Sequence, residues 1–208
     1  MGLDAKLLYG GGTLGDVIIT ALNRYPDRIA FVSGERHYRY NEVSDLVSIA
    51  IQQLAALGLK KGDAVVQLSR NRPEQWFVMA ACYLAGYKSV SLHAAGSMQD
   101  HAYVINDSEA DTVLYDAEFT GGVPQLQSLC VGVRHWVAHT GDDTAFWNAA
   151  GRRAPSSLEN STDPEDIIRL AYTGGTTGQS KGVMLSSRSM LYQALLGLLE
   201  RDWPPDPV

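Results

Sequence analysis

Cysteine and positive charge are both scarce in this sequence, and each scarcity excludes a class of protein. The 208 residues include two cysteines, Cys82 and Cys130, too few for the disulfide framework typical of small secreted domains. We therefore expect a reducing, cytoplasmic location. Lysine and arginine total 17 against 23 aspartates and glutamates, a net charge of −6. Because nucleic-acid binding needs a basic surface, we expect no nucleic-acid partner.

Long hydrophobic runs are also missing. The apolar stretch at residues 76–87, WFVMAACYLAGY, is shorter than the roughly 20 residues that a membrane-spanning helix needs. We therefore expect no transmembrane segment. The apolar residues of this stretch recur at helical spacing, which indicates a core helix; contact with a lipid or an acyl chain is the alternative.

What the sequence does contain is a regular alternation of strand and helix patterns. Segments with apolar residues at helical spacing follow Thr13, Asn41 and Ser97, which are predicted N-caps. This alternation predicts an α/β fold with a mostly parallel sheet and helices on both faces. Short apolar runs indicate strands at residues 64–68, 87–92, 111–115, 134–138, 167–173 and 182–186.

Composition divides the chain into three portions. Residues 1–140 form a first α/β portion, and residues 141–166 are a polar connector rich in Asp, Ser, Pro and Asn. Residues 167–208 are predicted to form two strands joined by a glycine-rich loop, followed by a helix. In the first portion, His135 and His139 have the spacing of two metal ligands on a helix. Since their segment is predicted to be a strand with no third ligand nearby, we expect no metal site there.

The loop between the last two strands is the most unusual part of the chain, within LAYTGGTTGQSKGVMLS at residues 170–186. Glycines let backbone N–H groups converge on one point, which makes a nest for an anion. Thr173, Thr176 and Thr177 add hydroxyl donors, and Lys181 adds a point charge suited to phosphate. The loop follows a strand end, where α/β folds bind ligands. The pattern therefore favours a polyphosphate site, with a solvent-exposed linker as the alternative.

Three other motifs fit this stretch less well. A Walker A loop would place glycine before the lysine and a helix after it, whereas Ser180 precedes Lys181 and a strand follows. The loop contains no G-x-G-x-x-G and so lacks the dinucleotide fingerprint. It does contain G-x-S-x-G at residues 178–182, the pattern of a hydrolase nucleophile elbow. A helix does not follow that serine, and no histidine occurs after His139, so we interpret this match as chance.

The loop sequence YTGGTTGQSKGVMLS resembles the phosphate-binding signature of adenylate-forming enzymes, which usually reads Y-T-S-G-T-T-G-x-P-K-G-V. These enzymes include acyl-CoA synthetases, peptide-synthetase adenylation domains and firefly-type luciferases. Residues 37–92, from HYRYNEV to YKSVSL, also resemble the N-terminal region of that family. The resemblance covers about residues 13–208, and it implies part of the large N-terminal AMP-binding domain.

The resemblance implies a nucleotide-phosphate site in the loop. The loop sequence departs from the signature at two positions. Gly174 stands where serine is usual, which removes one hydroxyl. Ser180 stands where proline is usual, which makes the loop less stiff. Neither change removes the backbone nest or the lysine. The residues that the resemblance assigns to the phosphates are Thr173, Gly174, Gly175, Thr176, Thr177, Gly178 and Lys181.

The reaction implied by the resemblance joins a carboxylate to ATP, giving an acyl-adenylate and pyrophosphate, and then transfers the acyl group to coenzyme A. Mg²⁺ is an implied cofactor, a fatty or other hydrophobic acid is the expected substrate, and a homodimer is compatible with the resemblance. An acyl carrier protein is the alternative acceptor, and a non-catalytic scaffold of the same fold is the alternative function.

The family's acyl pocket, adenine motif, magnesium-binding acid and C-terminal catalytic lysine all lie beyond the phosphate loop. We therefore expect this chain to be an N-terminal fragment without the C-terminal domain. We also expect it to hold no catalytic residue and to be inactive alone.

Overall fold

The computed structural model describes residues 11–139, 146–147, 154–173 and 179–200. Apart from residues 146–147, which are helical, the α-helices in this part of the chain are α1 (Leu14–Arg24), α2 (Tyr40–Ala56), α3 (Pro73–Ala85), α4 (Met98–Asp107), α5 (Val123–Leu129) and α6 (Ser187–Glu200), and a 3-10 helix spans Ala117–Gly122. The strands are β1 (Ile29–Ser33), β2 (Arg36–Arg39), β3 (Ala64–Leu68), β4 (Lys88–Ser91), β5 (Ala110–Tyr115), β6 (His135–Ala138), β7 (Ile167–Thr173) and β8 (Lys181–Ser186).

Six of the strands form one sheet, in the order β6-β5-β3-β4-β7-β8. Neighbouring strands pair in parallel except β7 and β8, which form an antiparallel hairpin at the edge. Strands β1 and β2 form a separate two-stranded hairpin. The predicted α/β class with a mostly parallel sheet is therefore confirmed.

Helices cover both faces of this sheet, as predicted. Every residue of β3 is buried, because its side chains alternate between two hydrophobic cores. Val65 packs with the apolar faces of α2 and α3, centred on Phe77. Val66 points the other way and packs with α4 and α5, through residues such as Ile105 and Leu126.

The helix starts follow local capping rules at two of the three predicted N-caps. Thr13 and Ser97 each form a capping box, in which the N-cap hydroxyl and an aspartate three residues later bond to each other's backbone N–H. The prediction for Asn41 is wrong, because the N-cap of α2 is Arg39 and the helix begins at Tyr40. The N–H groups of its first two residues donate to the carbonyls of Arg28 and Pro26. The Asn41 side chain accepts a hydrogen bond from the next N–H, over 2.7 Å, so it acts inside the first turn rather than as the N-cap.

Part of the polar connector is docked on the first portion of the chain. Asn160 Nδ2 donates to Thr13 Oγ1 at 2.6 Å and to Asp16 Oδ1 at 2.9 Å. Lys61 Nζ lies 2.7 Å from Asp166 Oδ2 and 2.9 Å from Asp163 Oδ2. These contacts with Asp166 and Asp163 raise the pKa of Lys61. The connector therefore tethers the strand that precedes the glycine-rich loop.

Replacing Asn160 with alanine is expected to lower the free energy of unfolding by about 1–3 kcal/mol, because its amide links the connector to the α1 capping box. Urea unfolding followed by circular dichroism measures this loss. The matched control is Asn71→Ala at an exposed position, which should change stability by no more than about 0.5 kcal/mol. Equal stability of the two variants would contradict a tethering role for Asn160.

None of the helices in the described part of the chain combines the length and the apolar character that crossing a bilayer requires. The stretch at residues 76–87 is instead core, since Phe77, Val78, Ala81 and Leu84 of α3 are buried.

Candidate functional site

The carboxyl ends of the five parallel strands lie along one edge of the sheet. Backbone hydrogen bonds between neighbouring chain segments continue beyond the strand ends at this edge. The Asp116 N–H donates to the Leu68 carbonyl and the His139 N–H donates to the Tyr115 carbonyl, both at 3.0 Å. Strand β7 ends at the same edge, so the glycine-rich loop leaves the sheet beside the residues that follow β3, β4, β5 and β6. This is the edge at which open α/β sheets bind ligands.

The base of the loop brings two predicted site residues together. Thr173, the last residue of β7, is the cross-strand partner of Lys181, the first residue of β8. Both residues are exposed, so the lysine is available to an anion from solvent. The other five predicted site residues, Gly174, Gly175, Thr176, Thr177 and Gly178, lie outside the described residues.

Ser180 closes the base of the loop, because its hydroxyl donates a hydrogen bond to the carbonyl oxygen of Thr173. Sequence comparison alone predicted a less stiff loop where serine replaces the usual proline. This hydrogen bond supplies a different restraint at the same position, one that proline could not make.

Tyr172 fixes the strand ends from which the loop leaves. Its hydroxyl donates to Asp107 Oδ2, at the end of α4, over 2.7 Å. Burial, followed by the hydrogen bond and the charge of Asp107, raises the pKa of Tyr172. The hydroxyl therefore stays protonated and remains a donor at neutral pH.

A cavity of about 750 Å³ lies beside the base of the loop. Its walls include Leu92 after β4, Val104 of α4, Tyr172 of β7 and Gln179 at the end of the loop. The cavity thus joins the β4–α4 connection to the loop, and a bound molecule could touch both.

A polar cluster, formed by Asp116, His139, Ser69 and Arg72, occupies the same edge of the sheet. The first three side chains are buried and Arg72 is exposed. Asp116 accepts hydrogen bonds from Ser69 Oγ and from Arg70 N–H, both at 2.9 Å. His139 Nε2 lies 3.1 Å from Asp116 Oδ1, and the side chains are 0% and 1% exposed. Arg72 Nε lies 3.2 Å from the other carboxylate oxygen.

The electrostatics of this cluster favour an ionised carboxylate. Burial by itself would raise the pKa of Asp116. The contacts with His139, with the Arg70 N–H and with the Ser69 hydroxyl outweigh that effect and hold its pKa well below the ordinary value. The cluster therefore ties together the ends of β3, β5 and β6.

Neither this cluster nor the contact between Tyr172 and Asp107 was predicted from sequence patterns. The sequence held one indication of the contact between Asp116 and His139, because each comes directly after an apolar strand. In the structure the last residues of those strands, Tyr115 and Ala138, are register partners. Neighbouring parallel strands bring residues at such positions together.

The exposed pair of Thr173 and Lys181 at the base of the loop suits an anion. His139 faces Asp116 from the end of β6, whereas His135 begins that strand. The part of the chain that the structure describes holds no group of three histidine, cysteine, aspartate or glutamate side chains that could bind a metal. An exposed lysine paired with a threonine is the kind of donor set that phosphate oxygens accept.

Two curated relatives are acyl–CoA ligases. The chain is 32% identical over 204 residues to the medium/long-chain-fatty-acid–CoA ligase FadD8 of Mycobacterium tuberculosis (strain ATCC 25618 / H37Rv), covering 93% of this chain and 36% of that protein. It is 31% identical over 186 residues to the 2-succinylbenzoate–CoA ligase of Bacillus licheniformis, covering 85% of this chain and 36% of that protein. The chain thus spans about a third of the length of these relatives.

The fold has solved counterparts. The anthranilate CoA ligase AuaEII in complex with anthranoyl-AMP superposes with a TM-score of 0.85 at 19% identity, covering 95% of this chain and 39% of that one. The profile of the AMP-binding enzyme family matches residues 19–207. That match includes the glycine-rich loop and the whole parallel sheet, which confirms the resemblance seen in the sequence: the chain belongs to the AMP-binding enzyme family.

Proposed function

We propose that this chain provides the nucleotide-phosphate site of an ATP-dependent ligase that activates a carboxylate as its acyl-adenylate and transfers the acyl group to coenzyme A. The observation that carries the proposal is the paired base of the loop, where Thr173 and Lys181 face each other at the carboxyl edge of a parallel sheet. The acyl–CoA ligase names of the two curated relatives support the reaction class.

The chemistry explains why such a loop is useful. A carboxylate oxygen attacks the α-phosphorus of ATP, the bond to the β,γ-phosphates breaks, and negative charge builds on the departing pyrophosphate. A lysine and backbone N–H groups fixed around those oxygens stabilise that charge more in the transition state than in the ground state. In the proposal, Lys181 supplies the cation, and Thr173 with Gly174, Gly175, Thr176, Thr177 and Gly178 supplies the donors.

Mg²⁺ would neutralise phosphate charge when bound. The family resemblance places the magnesium-binding acid beyond the phosphate loop, so the proposal assigns Mg²⁺ no protein ligand among these residues. It assigns phosphate binding, and no catalytic acid or base, to these 208 residues, and it expects them to be inactive alone.

For the substrate we propose a fatty or other hydrophobic carboxylic acid. FadD8 is named for medium- and long-chain fatty acids, whereas the Bacillus licheniformis relative is named for 2-succinylbenzoate. Fatty acids carry an alkyl chain, and 2-succinylbenzoate carries a benzene ring between its two carboxylate-bearing arms, so the FadD8 name is the main support for a hydrophobic acid. An acyl carrier protein as acceptor, and a homodimer, remain predictions of the family resemblance.

Carboxylate-dependent exchange of labelled pyrophosphate into ATP tests the proposal, using the protein at its natural length. Fatty acids of increasing chain length, 2-succinylbenzoate and anthranilate form the panel. Exchange that requires one of these acids is the expected result. Absence of exchange with every acid, in a protein that is folded by circular dichroism, would favour the non-catalytic scaffold.

A further inference from the structure

The contact between Tyr172 and Asp107 joins two parts of the chain that are distant in sequence. Tyr172 immediately precedes Thr173 in β7, and Asp107 is the last residue of α4. The 2.7 Å hydrogen bond between them spans 65 positions of sequence. It therefore attaches the strand that leads into the loop to a helix packed on the sheet.

The ring of Tyr172 also contacts the strand that leaves the loop. Tyr172 is the cross-strand partner of Gly182. A Cβ at position 182 would lie 2.9 Å from Cζ and 3.1 Å from the hydroxyl oxygen of Tyr172, so the ring lies over the glycine. One side chain thus contacts β7, β8 and α4.

Nothing in the fold requires this hydroxyl for the core. Tyr172 is half-buried and Asp107 is exposed, so the bond lies at the surface, beside the loop. A phenylalanine would keep the ring packed over Gly182 and remove only the link to α4.

We propose that Tyr172 and Asp107 are positioning residues, which hold the two strand ends so that Thr173 and Lys181 are already placed for the phosphates of a nucleoside triphosphate. The inference rests on the proposed function. Its physical basis is entropic: strand ends that are fixed before binding lose less conformational freedom when the ligand arrives.

The expected kinetic signature is a change in KM for ATP without a change in kcat. The hydrogen bond between Tyr172 and Asp107 is present in both the ground state and the transition state. Its loss therefore weakens ATP binding equally in the two states. Because this bond is exposed to solvent, we assign it the ordinary net strength of a hydrogen bond, which corresponds to about a fivefold change. We therefore expect Tyr172→Phe to raise KM for ATP about fivefold in carboxylate-dependent pyrophosphate exchange.

Variants of Asp107, which accepts the hydrogen bond from Tyr172, give a second test of the inference. Asp107→Ala should raise KM for ATP as Tyr172→Phe does, whereas Asp107→Asn keeps an acceptor oxygen and should stay closer to the wild type. The double variant Tyr172→Phe with Asp107→Ala should be no worse than either single variant, because both remove the same bond.

Tyr25 provides a matched control. It is an exposed tyrosine at the end of α1. Because Tyr25 lies neither on the hairpin nor on α4, Tyr25→Phe should leave KM for ATP unchanged.

Two results would overturn the inference while leaving the proposed function intact. One is an unchanged KM in Tyr172→Phe when wild-type exchange still depends on Lys181. The other is a fall in kcat at constant KM. Absence of exchange in the wild type, or exchange indifferent to Lys181, would overturn the proposed function and this inference together.

Discussion

Replacing Lys181 with alanine is expected to reduce carboxylate-dependent pyrophosphate exchange about 100-fold, because the lysine is the point charge that faces the departing phosphates. Lys181 is exposed at the first position of β8, so its removal should leave folding intact. The measurement is kcat/KM for ATP in the exchange assay, with the protein at its natural length.

Two further variants give this prediction its controls. Lys181→Arg keeps the charge but changes its reach and geometry, and should fall between the wild type and Lys181→Ala. Lys60→Ala removes an exposed lysine from the turn before β3 and should retain full exchange. Equal activity of Lys181→Ala and Lys60→Ala would contradict the role given to the loop.

Replacing Asp116 with alanine is expected to cost about 3 kcal/mol of unfolding free energy, because it leaves two hydrogen-bond donors without their acceptor. The substitution removes the acceptor for the Ser69 hydroxyl and the Arg70 N–H. It also leaves the buried His139 facing an apolar methyl group. Chemical denaturation measures the loss, and Asp45→Ala at an exposed position of α2 is the control, with an expected change within about 0.5 kcal/mol.

The same cluster predicts a pH dependence with a definite sign. The pKa of Asp116 is lowered in the folded protein, whereas an unfolded aspartate titrates near about 3.9. The carboxylate therefore contributes stability above that unfolded value and loses its contribution as pH falls towards the folded pKa. The stability difference between the wild type and Asp116→Asn should be full at pH 7 and smaller at pH 3. A difference that grows on acidification would contradict the account.

Local patterns in the sequence determined much of the fold. The strand predicted at residues 64–68 is β3 without change, since its five buried positions, four of them apolar, follow a polar turn. The capping boxes at Thr13 and Ser97 follow from short-range chemistry in the same way. Asn41 shows the limit of local patterns. The start of α2 is set by the carbonyls of Pro26 and Arg28, in the segment between α1 and β1, which a local motif does not report.

The candidate site was predictable only where it is contiguous in sequence. The loop and its lysine were found because glycine, threonine and lysine follow a strand within a few residues. The cluster around Asp116 depends on the strand order β6-β5-β3, which the alternation of strands and helices does not specify. The bond from Tyr172 to Asp107 depends in turn on where α4 ends relative to β7, which is a tertiary property.

Hydrogen exchange of the backbone tests the central claim most directly, because it reports phosphate binding without requiring turnover. The protein at its natural length is compared with Mg-ATP and with Mg-AMP, and the peptide that contains residues 173–181 is followed. The account predicts greater protection with ATP than with AMP, since the β- and γ-phosphates are the groups that the loop holds. Equal protection by the two nucleotides, or protection confined to other peptides, would contradict it.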